Sequence, residues 1–302
     1  MPIIEVSNPH DPRLADYLDV RDRQLLRQFR PAAPDHPGGD AAAPCGKFMA
    51  EGEVVFEQLV GSAFPILSVL CTPARLEAIR PLLAHIDTPV PVYVVPAPIL
   101  ESLVGFPLHR GLMAIGARTA PRTAAALLAN LHQPGASRVV VVLENLANHD
   151  NIGAVFRNSA ALGAHAILLT PGCADPLYRK SIRVSVGHAL RIPFATIEPW
   201  PTGLTLLAEA GYQSVALTPQ HGATDLRAFT PRAAPDSARR VALLVGTEGP
   251  GLTAAAIAGS DARVRIPMAA GVDSLNVAVA TAIALEHLRW LTGGASETRS
   301  GA

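Results

Sequence analysis

The sequence predicts an α/β protein with two domains. Its 302 residues are about twice the length of an ordinary domain. Short apolar segments of the kind that form strands alternate with helical segments. In the second half the first of these segments, Ser137–Leu143, contains a continuous apolar run, which is typical of parallel strands covered on both faces. With 49% hydrophobic and 17% charged residues, the composition is that of a globular chain.

The first half predicts a small α/β domain over residues 1–118. A Pro- and Gly-rich stretch at 31–46 predicts a mobile loop, which follows a predicted helix near Arg21–Arg30. Further elements are predicted by hydrophobic periodicity. The helices are FMAEGEVVFEQLVGS (48–62), ARLEAIRPLLAH (74–85) and ILESLVG (99–105), and the strands are ILSVLCT (66–72), VPVYVVP (90–96) and GLMAIGAR (111–118).

The second half predicts a doubly wound parallel sheet over residues 137–296, with a disordered tail at 297–302. A linker, 119–136, contains a helix at Thr123–Leu131 and a turn. In such sheets ligands bind beyond the carboxyl ends of the strands, so the loops there are candidates for a site. The predicted strands are Ser137–Leu143, Ala166–Leu169, Gln213–Leu217, Val241–Val245 and Ala262–Ile266.

Composition and charge argue against several classes of protein. The 25 basic and 25 acidic side chains give a net charge of +0, so any nucleic-acid surface must be a local patch. Cys45, Cys71 and Cys173 are too widely spaced for a zinc site or a disulfide framework. Since neither a signal peptide nor an apolar run of about 20 residues is recognisable, we expect a cytoplasmic protein without a membrane segment.

The loop after the first strand of the second domain carries polar side chains just before a helix. The ordinary interpretation of Asn148, Asp150 and Asn151 is a helix cap, because Asn and Asp satisfy the free amides of a first turn. The alternative is a functional group, since Asn151, Arg157 and Asn158 put an Arg and two amides near one helix. Arg157 lies six residues after Asn151, beside Phe156 and small residues. A guanidinium buried there would need a partner.

A second loop, in LLVGTEGPGL (243–252), is a glycine-rich turn after a buried strand. Gly246, Gly249 and Gly251 allow positive φ and close approach of the backbone to a ligand. A tight turn before the next helix is the ordinary alternative. A phosphate-binding loop is disfavoured because Gly-x-x-x-x-Gly-Lys-Ser/Thr is absent and Glu248 would repel a phosphate.

A third loop lies within RIPMAAGVDSLNVAVATAIALEHLRW (265–290). It follows a strand that ends at Pro267 and precedes a long apolar helix, predicted to begin near Asp273. Asp273 and Ser274 are ordinary candidates for helix caps. The alternative is that free amides and side chains at this helix start, including Asn276, line a binding site.

Together the three loops resemble the SpoU/TrmH branch of the SPOUT methyltransferases. That family has an Asn followed six residues later by an Arg, a Gly-x-Glu-x-x-Gly turn after a strand, and a Pro loop followed by Ser-Leu-Asn-Val-x-x-Ala. The matches keep their order and spacing across residues 137–291. The matching residues are Asn151 and Arg157, then Gly246, Glu248 and Gly251, then Pro267, Ser274, Leu275, Asn276, Val277 and Ala280.

The resemblance implies a SPOUT α/β domain whose C-terminal segment forms a deep trefoil knot, in a homodimer with the site near the subunit interface. It implies that S-adenosylmethionine binds in the knot, held by backbone groups of Thr218, Gly246, Ile266 and Leu275. Residues 48–118 are similar to the family's ribosomal-protein-like RNA-binding domain. That similarity rests on Glu51-Gly52 and on His109-Arg110-Gly111.

The activity implied is methyl transfer from S-adenosylmethionine to a ribose 2′-hydroxyl of tRNA or rRNA, without a metal. In the family the Arg of the first motif is the base, a role that falls to Arg157. Because Arg normally stays protonated, an equally plausible role for Arg157 is to stabilise the developing alkoxide as a cation. Asn151 would orient Arg157 or the ribose, and Glu248 would hold Arg157 or position the substrate. Ser274 and Asn276 would complete the pocket.

A basic cluster outside these loops consists of Arg179, Lys180 and Arg183, on one side of a predicted helix. By itself the cluster is typical of a solvated helix face. Given the resemblance, an RNA-backbone contact is the better interpretation.

Two other functions compete with this hypothesis. The first is a catalytically inactive RNA-binding protein of the same fold, which the intact motif residues argue against. The second is a nicotinamide-dependent dehydrogenase. It is disfavoured because no Gly-x-Gly-x-x-Gly follows the first strand of either half.

Overall fold

The computed structural model describes residues 1–18, 46–104 and 111–291. Outside these ranges lie Cys45, the predicted helix near Arg21–Arg30, the predicted loop at 31–46 except for its last residue, and the tail at 297–302. His109 and Arg110 of the N-terminal resemblance are also outside them. None of the helices in the described ranges is long and apolar enough to cross a bilayer.

The chain divides into two compact units. One comprises Met1–Ala120 with Pro176–Arg191, and the other comprises Pro121–Asp175 with Ile192–Ala302. The segment 176–191 thus packs with the first unit, whereas the sequence-based boundaries place it in the second domain. Helical periodicity cannot indicate which neighbour a short helix will contact.

The first unit contains a five-stranded mixed sheet with helices between its strands. Its strands are β1 (Ile3–Glu5), β2 (Lys47–Glu51), β3 (Ile66–Cys71), β4 (Val92–Val94) and β5 (Leu112–Ala117). Its helices include α1 (Glu53–Val60), α2 (Pro73–Leu83) and α3 (Ala97–Val104). The strand order is β1-β4-β3-β5-β2, with β2 and β3 antiparallel to β5.

The predicted helix over 48–62 is wrong in its first part, where β2 forms instead. Phe48, Met49 and Ala50 are all buried in the sheet, so this strand shows no alternation that would separate it from a helix. Gly52, with a φ of 87°, turns the chain from β2 into α1. Strand β1 was not predicted, since three residues are too few to show a period.

The second unit contains a seven-stranded sheet whose neighbouring strands are parallel. Its strands are β6 (Arg138–Glu144), β7 (Ala166–Leu169), β8 (Phe194–Thr196), β9 (Gln213–Leu217), β10 (Thr224–Asp225), β11 (Arg240–Gly246) and β12 (Ala262–Arg265). The strand order is β10-β12-β9-β11-β6-β7-β8. Each of the five predicted strands is present within one residue of its predicted bounds. The two shortest strands, β8 and β10, were not predicted.

Helices connect these strands. They are α4 (Ala124–Leu131), α5 (His149–Ala161), α7 (Leu204–Glu209), α8 (Ala254–Gly259) and α9 (Val277–Leu291), while α6 (Arg179–Val184) belongs to the first unit. Helix α9 packs against α5. The sequence prediction that this last helix begins near Asp273 is wrong, because it begins at Val277.

Candidate active site

A cavity of about 440 Å³ lies at the carboxyl ends of the neighbouring strands β9, β11 and β12. A doubly wound sheet places ligands at this edge, and small-molecule sites have volumes of roughly 300–1,000 Å³. Apolar side chains such as Leu217, Val245 and Met268 form part of its wall. Seven predicted site residues also line it: Thr218, Gly246, Glu248, Ile266, Ser274, Leu275 and Asn276.

The glycine-rich turn forms one wall of this cavity. Gly249 and Gly251 have φ of 82° and 72°, as the sequence predicted. Gly246 does not have a positive φ, so that part of the prediction is wrong. A Cβ there would run into the backbone of Gly251 and Leu252. The glycine at 246 is therefore needed for the turn to close on itself, with the Gly251 N–H donating to the Thr247 carbonyl over 3.0 Å.

Asn276 joins the first and second motifs. Its Nδ2 donates to Asn151 Oδ1 over 3.0 Å and to Glu248 Oε1 over 2.8 Å. Its Oδ1 accepts from the Ala278 N–H over 3.0 Å. Asn276 therefore caps α9, the role that the sequence analysis considered for Asp273 and Ser274. The structure brings together three predicted catalytic residues, Asn151 from the first turn of α5, Glu248 from the glycine-rich turn and Asn276 from the start of α9.

Ser274, the other predicted catalytic residue of the third motif, is not hydrogen-bonded to this group. Ser274 lines the cavity and is exposed, and its hydroxyl is 3.5 Å from Asp273 Oδ1. Behind the site, Asn158 Nδ2 donates over 2.8 Å to the Ala278 carbonyl. This bond holds α5 to the start of α9, and so fixes Asn151 relative to Asn276.

Arg157 is not part of this group in the single chain. Successive helix residues are about 100° apart, so a side chain six positions after Asn151 points about 120° away from it. Asn151 is buried and Arg157 is exposed. The apolar neighbour Phe156 turns inward and packs on Phe194, with ring centroids 5.7 Å apart. The sequence neighbours of Arg157 suggested that its guanidinium is buried among apolar side chains. In the single chain it is exposed instead.

The predicted RNA-binding cluster lies on α6. Arg179 forms an ion pair with Glu51 over 2.8 Å, and both side chains are largely buried, at 11% and 14% exposed. That charge is engaged within the first unit. Lys180 is half-buried and Arg183 is exposed.

Two polar side chains at the end of β6 were not predicted from the sequence to have a role. They are Glu144, the last residue of this strand, and Cys173, which contacts the strand from a later loop. Glu144 is 1% exposed and accepts from Trp200 Nε1, Thr253 Oγ1 and the Thr253 N–H over 2.6, 2.7 and 2.9 Å. The Cys173 thiol donates to the Leu143 carbonyl over 3.2 Å, and burial raises the pKa of this thiol. A carboxylate directly after the run RVVVVL was the available signal for Glu144. In the described ranges no group of three or more His, Cys, Asp or Glu is arranged to hold a metal ion.

Comparison with known proteins gives concordant matches. The sequence profile of the SpoU rRNA Methylase family matches residues 138–286. A Mycobacterium tuberculosis protein, named an uncharacterized tRNA/rRNA methyltransferase, is 42% identical over 283 residues, covering 93% of this chain and 89% of its own.

Solved structures resemble the chain along nearly its whole length. An AdoMet-bound rRNA methyltransferase from Sinorhizobium meliloti has a TM-score of 0.74 at 22% identity, covering 95% of this chain and 98% of its own. An RNA 2′-O ribose methyltransferase has a TM-score of 0.68 at 24% identity, with the same coverage of both chains. At these identities the likeness shows the fold.

Proposed function

The chain belongs to the SpoU rRNA methylase family, and we propose that it transfers a methyl group from S-adenosylmethionine to a ribose 2′-hydroxyl of tRNA or rRNA. One observation carries the proposal. Asn276 joins Asn151 and Glu248 at the rim of a cavity that Thr218, Gly246, Ile266 and Leu275 line. A donor pocket and a group of polar residues suited to an acceptor hydroxyl thus lie side by side.

The cavity fits S-adenosylmethionine by its volume and by its lining. Apolar walls suit an adenine ring, while backbone groups at strand ends suit the polar edges of the ligand. The Thr218 N–H already donates to the Val264 carbonyl over 2.9 Å, so the Thr218 carbonyl is the group left for a ligand. When bound, this donor supplies an electrophilic methyl group on a sulfonium, whose sulfur leaves as a neutral thioether and is therefore already a good leaving group.

The acceptor side requires orientation of the ribose hydroxyl and removal of its proton. Asn151 Oδ1 is occupied by Asn276, so Asn151 offers its Nδ2 as a donor to a substrate oxygen. Glu248 keeps its second carboxylate oxygen for the substrate or for Arg157. Arg157 either takes the proton or stabilises the developing alkoxide as a cation.

We infer further that the C-terminal segment is knotted, as in SPOUT domains. After β12 the chain runs through residues 266–276 along the cavity, and α9 then packs against α5, which lies much earlier in the sequence. The sheet order, in which β12 lies between β10 and β9, supports this path.

The site is proposed to lie in a homodimer. An apolar stripe remains exposed along α9 and the loop before it, and Trp290 within it is 68% exposed. The opposite side of α9 is buried against the same chain. Because helical spacing places Val279, Ile283 and Trp290 on one side of α9, a second copy would cover these three side chains together. The stripe consists of Val272, Leu275, Val279, Ile283 and Trp290.

RNA recognition is proposed for the first unit, including the basic cluster on its helix α6. Lys180 and Arg183 would contact phosphates, while Arg179 holds α6 through Glu51. With a net charge of +0, only local patches of this kind can supply cations.

The test is methyl incorporation from S-adenosylmethionine labelled in the methyl group into tRNA and rRNA fractions. Isolated RNA should then be mapped for 2′-O-methyl nucleotides that are missing in a strain lacking the gene. Calorimetry should show binding of S-adenosylmethionine and none of NAD. RNA binding without methyl transfer would instead identify a catalytically inactive RNA-binding protein.

A further inference from the structure

We propose that Glu144 is a positioning residue that holds closed the pocket loop, residues 246–252, against the donor. The inference rests on the proposed function, because it takes the cavity to be the S-adenosylmethionine pocket. Glu144 itself does not line that cavity. It acts on the pocket through the loop, which contributes Gly246, Thr247, Glu248 and Gly249 to the wall.

The carboxylate of Glu144 is fixed by three hydrogen bonds. Thr253 donates to it twice, through its hydroxyl and its backbone N–H, and the Trp200 indole N–H donates once. A carboxylate that is 1% exposed is costly unless donors surround it, and hydrogen bonds to a charged group are the stronger ones. The geometry of these contacts is therefore narrowly determined.

Glu144 contacts the pocket loop at both of its ends. In the parallel pairing of β11 and β6, its backbone lies opposite Gly246, where the loop begins. Its side chain binds Thr253, the residue directly after the loop. Between these ends the turn closes on itself, since Gly246 packs against the backbone of Gly251 and Leu252. A single residue thus contacts the chain at both ends of the loop.

The bonds to Thr253 are not explained by helix capping alone. Thr253 Oγ1 already accepts from the Ala256 N–H over 3.2 Å, so α8 has an N-cap of its own. The two additional bonds join the start of α8 to the end of β6. That connection orders the loop before α8, and an ordered loop binds its ligand without the entropic cost of closing.

The primary test replaces Glu144 by Gln and measures the affinity for S-adenosylmethionine by calorimetry. Glutamine keeps the shape of the side chain but exchanges one acceptor oxygen for an NH₂ donor. When the oxygen of the new amide faces Trp200 and the Thr253 hydroxyl, its NH₂ faces the Thr253 N–H. Two donors then meet, and the hydrogen bond from the Thr253 N–H is lost. We expect the Kd to rise about tenfold, while kcat at saturating donor stays within about twofold.

Matched variants separate the loop contact from general stability. Trp200→Phe removes a donor to the same carboxylate but leaves both Thr253 bonds, so it should lower the melting temperature without changing the Kd. Thr253→Val removes one bond to Glu144 together with the N-cap of α8, so the Kd should rise and the melting temperature should fall. Thr253→Ser keeps both contacts and should bind as the unmodified protein does. The W200F protein is the stability control for this pair, and the pair replaces E144Q if that protein does not fold.

The inference is overturned by an unchanged Kd in E144Q or T253V, by a Kd that rises equally in W200F, or by a loss of kcat without a change in Kd. Failure of the proposed function has a different signature, because the unmodified protein would then not bind S-adenosylmethionine.

Discussion

At the residue scale, the amide of Asn276 has one orientation that satisfies its surroundings. The Ala278 backbone N–H can only donate, so the carbonyl oxygen of Asn276 must face it. The NH₂ group is thereby directed at Asn151 and Glu248, both of which accept. One backbone N–H thus determines which polar groups the site presents to a substrate.

Asn276→Asp is expected to reverse this arrangement without removing the helix cap. Asp is as good an N-cap as Asn, so α9 should remain folded. The new carboxylate would face Glu248, and Asn151 would lose its donor. Methyl transfer should fall by about tenfold or more. Adding Glu248→Gln to this variant should recover part of the loss, although E248Q alone should reduce activity. Steady-state methyl incorporation by the three variants tests the coupling, and strictly additive effects would contradict it.

Arg157→Ala should abolish methyl transfer and leave the affinity for S-adenosylmethionine nearly unchanged. The side chain does not line the cavity, so the donor should not sense its removal. Arg157→Lys tests the role. A lysine keeps the charge, so partial activity is expected if the residue stabilises the alkoxide. Calorimetry and methyl incorporation on both variants give the answer, and normal turnover by R157A would remove Arg157 from the mechanism.

At the element scale, what the sequence could predict depended on the length and burial of each segment. The continuous apolar run of β6 and the full five residues of β9 were found, whereas β8 and β10 are too short to show a pattern. The chemistry was predictable at strand ends, because parallel sheets gather ligand-binding loops there. The contact of Asn276 with Asn151 could not be predicted from the sequence, because it joins residues that are 125 positions apart.

The pocket loop itself gives the next prediction. Gly246→Ala should weaken S-adenosylmethionine binding by about tenfold or more, because even a methyl group would push Gly251 and Leu252 apart. Gly163→Asn is the control. Gly163 lies outside the cavity with a φ of 77° and open space around it, and Asn tolerates that backbone conformation. Calorimetry on folded protein should show loss only in G246A. Equal affinities for both variants would mean that closure of the turn does not shape the pocket.

At the scale of the whole molecule, the described chain is divided so that the proposed chemistry lies in one unit. The cavity, Asn151 and Arg157 belong to the second unit, and the ion pair of Arg179 with Glu51 belongs to the first. Sequence patterns located both α/β regions but could not assign 176–191, because that assignment depends on a side-chain contact between α6 and β2. The first unit, which is proposed to bind RNA, therefore includes α6, a helix from the middle of the chain.

The last prediction concerns the assembly of two copies of the chain, and it follows from the exposed stripe on α9. Val279 and Ile283 are 48% and 40% exposed on the outer side of a helix whose inner side is buried, so replacing them should cost the single chain little stability. Val279→Glu or Ile283→Glu would place a charge in the proposed subunit interface, where an unpaired carboxylate is costly. We expect light scattering at micromolar concentration to give a dimer for the unmodified protein and a monomer for either variant. Methyl transfer should be lost with the dimer. Val54→Glu, at an equally exposed valine of α1, should remain dimeric and active. A monomeric and active unmodified protein would show that one chain contains the complete site.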